Sequence, residues 1–146
     1  MVAYWLIPLR EENWYVVLRN NIFGARANSP ALKKIKIGDL LIFYVSKSGS
    51  IKLGGKIVGV FQVITDWFFE EVPLWPEETS KKKTIYSWRI RLKPIKIGTT
   101  NFKDLVQKLK FIKRKDKAQV YLMGVPANFR SPIPEEDAKT IIESLR

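Results

Sequence analysis

The chain has 146 residues and contains neither cysteine nor histidine, so zinc, copper and haem sites and Cys–His or Ser–His relays are not expected. Aliphatic and aromatic residues make up 46%, too many for a disordered tail and enough for a core that needs no metal or disulfide. Lysine and arginine number 26 against 14 acids, a net charge of +12 that suits a polyanionic partner.

Val2-Ala3-Tyr4-Trp5-Leu6-Ile7-Pro8 is short, apolar and ended by proline, which predicts a buried first strand. Glu11 to Leu18 carries acids in its first turn and predicts a short helix. Asn20-Asn21-Ile22-Phe23-Gly24 reads as a turn that exposes an aromatic ring. Ser29-Pro30 predicts an N-cap followed by one or two helical turns. After the Gly38-Asp39 turn, Leu40-Leu41-Ile42-Phe43-Tyr44-Val45 is too continuously apolar for a surface strand. Lys56 to Ile64 is the next strand, with Gly59 at a bulge or close approach. Asp66 to Pro76 is a loop dense in aromatics, and Thr84 to Lys93 is a strand with one basic face. Phe102, Leu105, Val106 and Leu109 fall at helical spacing, Val120 to Met123 reads as a last short strand, and Ile133 to Asp137 opens a closing helix.

Strands that follow one another without full crossover helices favour an α+β fold: a mixed or antiparallel pseudo-β-barrel with short flanking helices and a C-terminal helix. We expect one domain, residues 1–146. No apolar run approaches the roughly 18 residues of a membrane span, and the first residues lack the basic n-region of a signal peptide. The expectation is a soluble, cytoplasmic protein with no membrane partner and no cofactor. Zero Cys, two Met and many Lys, Glu and Ile also fit a source that lives hot.

The charge is localised. Residues 80–117 hold 14 basic residues and two acids, and the rest of the chain nets zero. Lys81, Lys82, Lys83, Arg89, Arg91, Lys113, Arg114 and Lys115 are therefore the candidates for holding a nucleic-acid backbone. Strand-borne rings such as Trp5, Phe43, Phe61 and Trp88 read as core. Phe23 and Trp75 lie in turn or loop sequence beside Gly24 and Pro76, where a large ring suits the stacking of an unstacked base.

The order of several segments carries a resemblance. These are Tyr4-Trp5-Leu6, Asn13-Trp14, Ile22-Phe23-Gly24, Ile35 to Tyr44, Gly55 to Phe61, Val72-Pro73-Leu74-Trp75-Pro76 and Phe129 to Asp137. In this order they resemble the EVE family of the PUA-like superfamily, whose relatives include the YTH readers of methylated adenine in RNA. The resemblance implies a small pseudo-barrel with a base-sized pocket at one mouth. It implies that Asn13 and Trp14 line the pocket floor, that Trp75 closes the pocket, and that Arg130 and Ser131 lie at its rim. Phe23 stands where these readers often carry Trp, a smaller ring that can still stack.

The expected function is a non-catalytic nucleic-acid-binding module, DNA or RNA, that accommodates a flipped, modified base in an aromatic pocket beside a basic surface. One alternative is an RNA-binding PUA-like adaptor without modification specificity. A third reading, a small ASCH-like nuclease, would need carboxylates such as Asp39, Asp66 or Glu71 to move protons.

Overall fold

The computed structural model describes residues 2–122 and 132–146. Six strands form one mixed sheet: β1 (Tyr4–Leu9), β2 (Ile22–Ala25), β3 (Leu40–Val45), β4 (Lys56–Val63), β5 (Phe68–Phe69) and β6 (Trp88–Asn101). The spatial order is β1-β3-β4-β6-β2, with β5 added alongside β6. Among the described strands only β1 and β3 pair in parallel, Tyr4 opposite Leu40 through Leu9 opposite Val45; the remaining pairs are antiparallel.

Helix α1 (Glu11–Asn20) makes the crossover after β1 and ends on Asn21 at φ 52°, and α2 (Ala31–Lys34) follows β2. Helix α3 (Pro76–Lys81) precedes β6, α4 (Phe102–Leu105) runs into a 3₁₀ turn at Val106–Lys108, and α5 (Glu135–Ser144) closes the chain. The mixed sheet curls into a half-barrel with short helices around it, in keeping with the expected pseudo-β-barrel. No helix among the described residues is long and apolar enough to cross a membrane.

Both faces of the sheet are covered, which explains why β3 reads as an unbroken apolar run. Leu41, Phe43 and Val45 join Trp5, Ile7, Trp14, Phe23 and Phe61 on the face that α1 packs. Ile42 and Tyr44 turn to the other face, where Phe102, Leu105, Leu109, Ala138 and Ile141 seal the sheet. Strand β6 drives the curl. Its first residues pair with β2 and β5, and Leu92 to Asn101 pair with β4 through two register shifts. Pro94 falls at one of those shifts, where a missing N–H removes no regular ladder bond.

Buried carboxylates tie the loops. Asp39, 3% exposed, accepts hydrogen bonds from the Ala3 N–H (3.1 Å), the Trp5 indole (3.0 Å) and the Lys36 N–H (2.9 Å). It holds the start of β1 against the turn before β3. Glu11 accepts three backbone N–H groups from Ile51, Lys52 and Leu53, and these hold its carboxyl below the usual range against the opposing effect of burial.

Several sequence expectations are corrected. The Ile22–Ala25 segment is a strand, so Phe23 is 7% exposed instead of displayed on a turn. β1 runs through Pro8, tolerated because β1 lies at the end of the sheet. The Lys115–Leu122 segment is a kinked 3₁₀ stretch where a strand was expected from Val120, and Met123 lies outside the described residues.

Candidate functional site

A cavity of about 440 Å³ opens where the C-terminal end of β1, the start of α1 and strand β2 meet. Ile7, Pro8, Leu9, Phe23, Gly24 and Ala25 supply its apolar lining, and the loop from Arg26 to Pro30 forms one side of the mouth. Trp75 and Tyr86 complete the wall, with ring centroids 5.7 Å apart and planes at 65°.

Two features make this wall possible. Gly24 lets Trp75 lie directly on β2, since a Cβ there would stand 2.5 Å from the Trp75 ring. Glu78, fully buried at the third position of α3, holds Trp75 and Tyr86 together although they lie on separate segments. One carboxylate oxygen accepts the N–H groups of Leu74 (2.8 Å) and Trp75 (3.2 Å); the other accepts those of Ile85 (2.7 Å) and Tyr86 (2.8 Å). Burial raises the Glu78 pKa, and the four backbone donors outweigh it, so the carboxyl stays below its ordinary value.

Arg89 backs this staple. It is 0% exposed, pairs with Glu70 (2.7 Å) and Glu78 (3.3 Å), donates to the carbonyls of Tyr86 and Val72, and lies 5.2 Å from the Trp75 ring centroid.

The floor carries one polar irregularity. Asn13 Oδ1 is the only buried side-chain nitrogen or oxygen among the described residues with no hydrogen-bond partner, and Asn13 lines the cavity. An orphaned acceptor of this kind costs about 1–3 kcal/mol in the free protein. At the mouth, the Arg26 guanidinium sits 5.3 Å from the Tyr86 ring centroid, and the Tyr86 hydroxyl donates to Glu77 at 2.8 Å. Burial and that bond both raise the Tyr86 pKa, while the same bond, with Lys81, lowers that of Glu77.

Of the expected pocket residues, the structure brings Asn13, Phe23 and Trp75 together around this cavity. Trp14 is corrected: 2% exposed, it packs against Phe43 and Phe61 at 5.8 Å each, inside the core beneath α1. Arg130 and Ser131 lie outside the described residues.

The basic candidates divide. Lys81, Lys82 and Lys83 are exposed at the end of α3, with Lys81 held by Glu77 at 3.2 Å. Arg91 is exposed over Phe68, and Lys113 and Arg114 are exposed, Arg114 against Asp116. Arg89 is corrected: Glu70, just after β5, and Glu78 of α3 both pair with it, so its charge is consumed internally. Lys115 is half-buried and donates to the Val106 and Leu109 carbonyls, so it caps a 3₁₀ turn. Gly24, Arg26, Glu78 and Tyr86 were missed. Only Gly24, inside an apolar stretch, carried a sequence signal of close approach.

The EVE domain model matches residues 3–144, and the chain belongs to the EVE family. It is 40% identical to the UPF0310 protein SSO2595 of Saccharolobus solfataricus over 145 residues, covering 99% of this chain and 96% of that protein. It is 38% identical to the UPF0310 protein PYRAB08750 of Pyrococcus abyssi, covering 99% of each. Among solved structures it is similar in fold to the YTH domain of Zygosaccharomyces rouxii MRB1 in complex with N6-methyladenosine RNA. That likeness has a TM-score of 0.62 at 18% identity and covers 97% of this chain and 85% of the YTH chain. Rpa0253 of Rhodopseudomonas palustris shares the fold with a TM-score of 0.57 at 17% identity, covering 98% and 92%.

Proposed function

We propose that this chain is a non-catalytic nucleic-acid-binding module that seats one unstacked, modified base in the aromatic cavity. The observation that carries the reading is the cavity itself: Phe23, Trp75 and Tyr86 around a pocket whose lining includes an unpartnered buried amide oxygen on Asn13. Structural neighbours that hold RNA, including the MRB1 YTH complex, support nucleic acid as the partner class.

The energetics are balanced in favour of capture. Stacking on an aromatic ring is worth about 1–3 kcal/mol per base, comparable with the few kcal/mol that extrusion costs and more than enough on single strands. A buried methyl group adds under about 1 kcal/mol by area. Sharper discrimination comes from the Asn13 amide, which is left unpaired by a base presenting the wrong edge. The exposed cations Lys81, Lys82, Lys83, Arg91, Lys113 and Arg114 supply backbone affinity without sequence information. Asp39, whose two oxygens are occupied by three donors, serves the fold and not proton transfer.

The test is a tryptophan-fluorescence titration with short single strands, DNA and RNA, at two salt concentrations. The strands carry 5-methylcytosine, 5-hydroxymethylcytosine or N6-methyladenine, each beside its unmodified control. A preference of tenfold or more for one modification, about 1.4 kcal/mol, is the expected result. Equal and steeply salt-dependent binding to all strands would reject base reading and leave an adaptor.

A further inference from the structure

We infer that Arg26 is the phosphate-binding residue of the cavity, so that its ligand is a nucleotide held by base and phosphate together. The inference rests on the reading that a base occupies the cavity. Arg26 follows β2 directly, and Phe23, Gly24 and Ala25 of that strand line the cavity, so the chain delivers its side chain to the mouth. A base stacked inside leaves its sugar and phosphate at that same mouth.

The guanidinium there is held on Tyr86 and remains more than half exposed. It lies 5.3 Å from the centroid of Tyr86, itself a cavity wall, which fixes the position of a long side chain at little entropic cost. Its ion-pair contact, to Glu77, stretches to 4.0 Å with the Arg26 side chain 56% exposed. Glu77 already receives the Tyr86 hydroxyl at 2.8 Å and the Lys81 ammonium at 3.2 Å, so it remains satisfied when Arg26 turns to a ligand. A planar fork facing an open mouth can take two phosphate oxygens side by side.

Several other basic candidates are occupied internally or lie elsewhere. Arg89 is locked to Glu70 and Glu78, and Lys115 to two carbonyls. Lys113 and Arg114 belong to the segment around Phe111 and Tyr121, which packs on the opposite face of the sheet.

The experiment compares 5-methylcytidine, 5-hydroxymethylcytidine and N6-methyladenosine, each as the free nucleoside and as its 3′- and 5′-monophosphates. Each is titrated by calorimetry into the wild type, Arg26→Gln, Arg26→Lys and a control at an exposed lysine of α5, Lys139→Gln. For whichever base binds, one monophosphate binds the wild type at least tenfold tighter than its nucleoside. Arg26→Gln shrinks that gap below threefold, the loss falling on the monophosphate more than on the nucleoside. Arg26→Lys keeps part of the gap, and Lys139→Gln keeps all of it. The inference is overturned if wild type shows no phosphate advantage, if Arg26→Gln preserves it, or if Arg26→Gln weakens nucleoside and nucleotide equally. Nucleoside binding without a phosphate advantage refutes only this inference. A folded wild type that binds none of the probes refutes the cavity reading and this inference with it.

Discussion

Replacing Glu78 by Gln is the sharpest perturbation of the aromatic wall, because it conserves volume and removes one charge. The carboxylate accepts Leu74 N, Trp75 N and Arg89 Nη2 on one oxygen, and Ile85 N and Tyr86 N on the other. An amide offers one acceptor oxygen and one NH₂ group. Whichever way it sits, the NH₂ meets a pair of backbone donors, and Arg89 loses half of its countercharge in a fully buried site. Two orphaned N–H groups cost about 1–3 kcal/mol each, and breaking a buried ion pair costs about 3–5 kcal/mol. The effects overlap, so we expect a loss of about 3–5 kcal/mol, on the order of 10 °C in Tm for a chain of this size.

Urea and thermal unfolding followed by near-UV circular dichroism measure this loss. The pH dependence gives an independent sign. Glu78 titrates below the ordinary glutamate range in the folded protein, so its stabilisation is fully present above that range. It disappears as pH falls through the unfolded and then the depressed folded pKa. The gap between wild type and Glu78→Gln therefore narrows on acidification below about pH 4.5. A loss under about 1 kcal/mol, or a gap independent of pH, would refute the staple.

Three further outcomes follow from the cavity. Gly24→Ala drives a methyl group to 2.5 Å from the Trp75 ring, so it lowers urea-unfolding stability by about 1–3 kcal/mol and weakens oligonucleotide binding in the same titration. Asn13→Ala removes an unpartnered acceptor and improves helix propensity in α1; its Tm equals or exceeds that of the wild type, while discrimination between modified and plain strands falls. Lys113→Gln with Arg114→Gln lowers the salt slope of strand binding by up to about two, read by titration over a salt series, and leaves base preference unchanged.

The parts of the fold set by local pattern were legible in the residues. Leu40–Val45 was read with its observed bounds because an unbroken apolar run needs cover on both faces, and α1 was announced by Glu11 and Glu12. The parts set by distant pairing were not. Ile22–Ala25 is a strand because β6, opposite it from Trp88 to Arg91, supplies the ladder, and nothing near Phe23 encodes that partner. The same strand starts later than Thr84 and runs on through Pro94 and Gly98, since its register shifts absorb the irregular residues. A short apolar run at Val120 is ambiguous by periodicity alone, and it is 3₁₀.

The site divides in the same way. Asn13 emerged from its place in the family order, Phe23 and Trp75 also from their apparent turn and loop positions, and all three line the cavity. Arg89 and Arg91 alternate identically along β6, yet one is sealed beneath Glu70 and Glu78 and the other is exposed. Arg26 and Tyr86 meet only through the tertiary fold, so no spacing in the chain joins them.

The most direct test of a base-reading cavity is a ¹⁵N-resolved NMR titration of the wild type with the strand it binds best, modified against unmodified. We predict shifts of the Gly24 and Tyr86 amides, the Trp75 indole and the Asn13 side-chain amide that saturate at lower concentration with the modified strand. Shifts confined to Lys81–Lys83 and Lys113–Arg114, identical for both strands, would contradict the account.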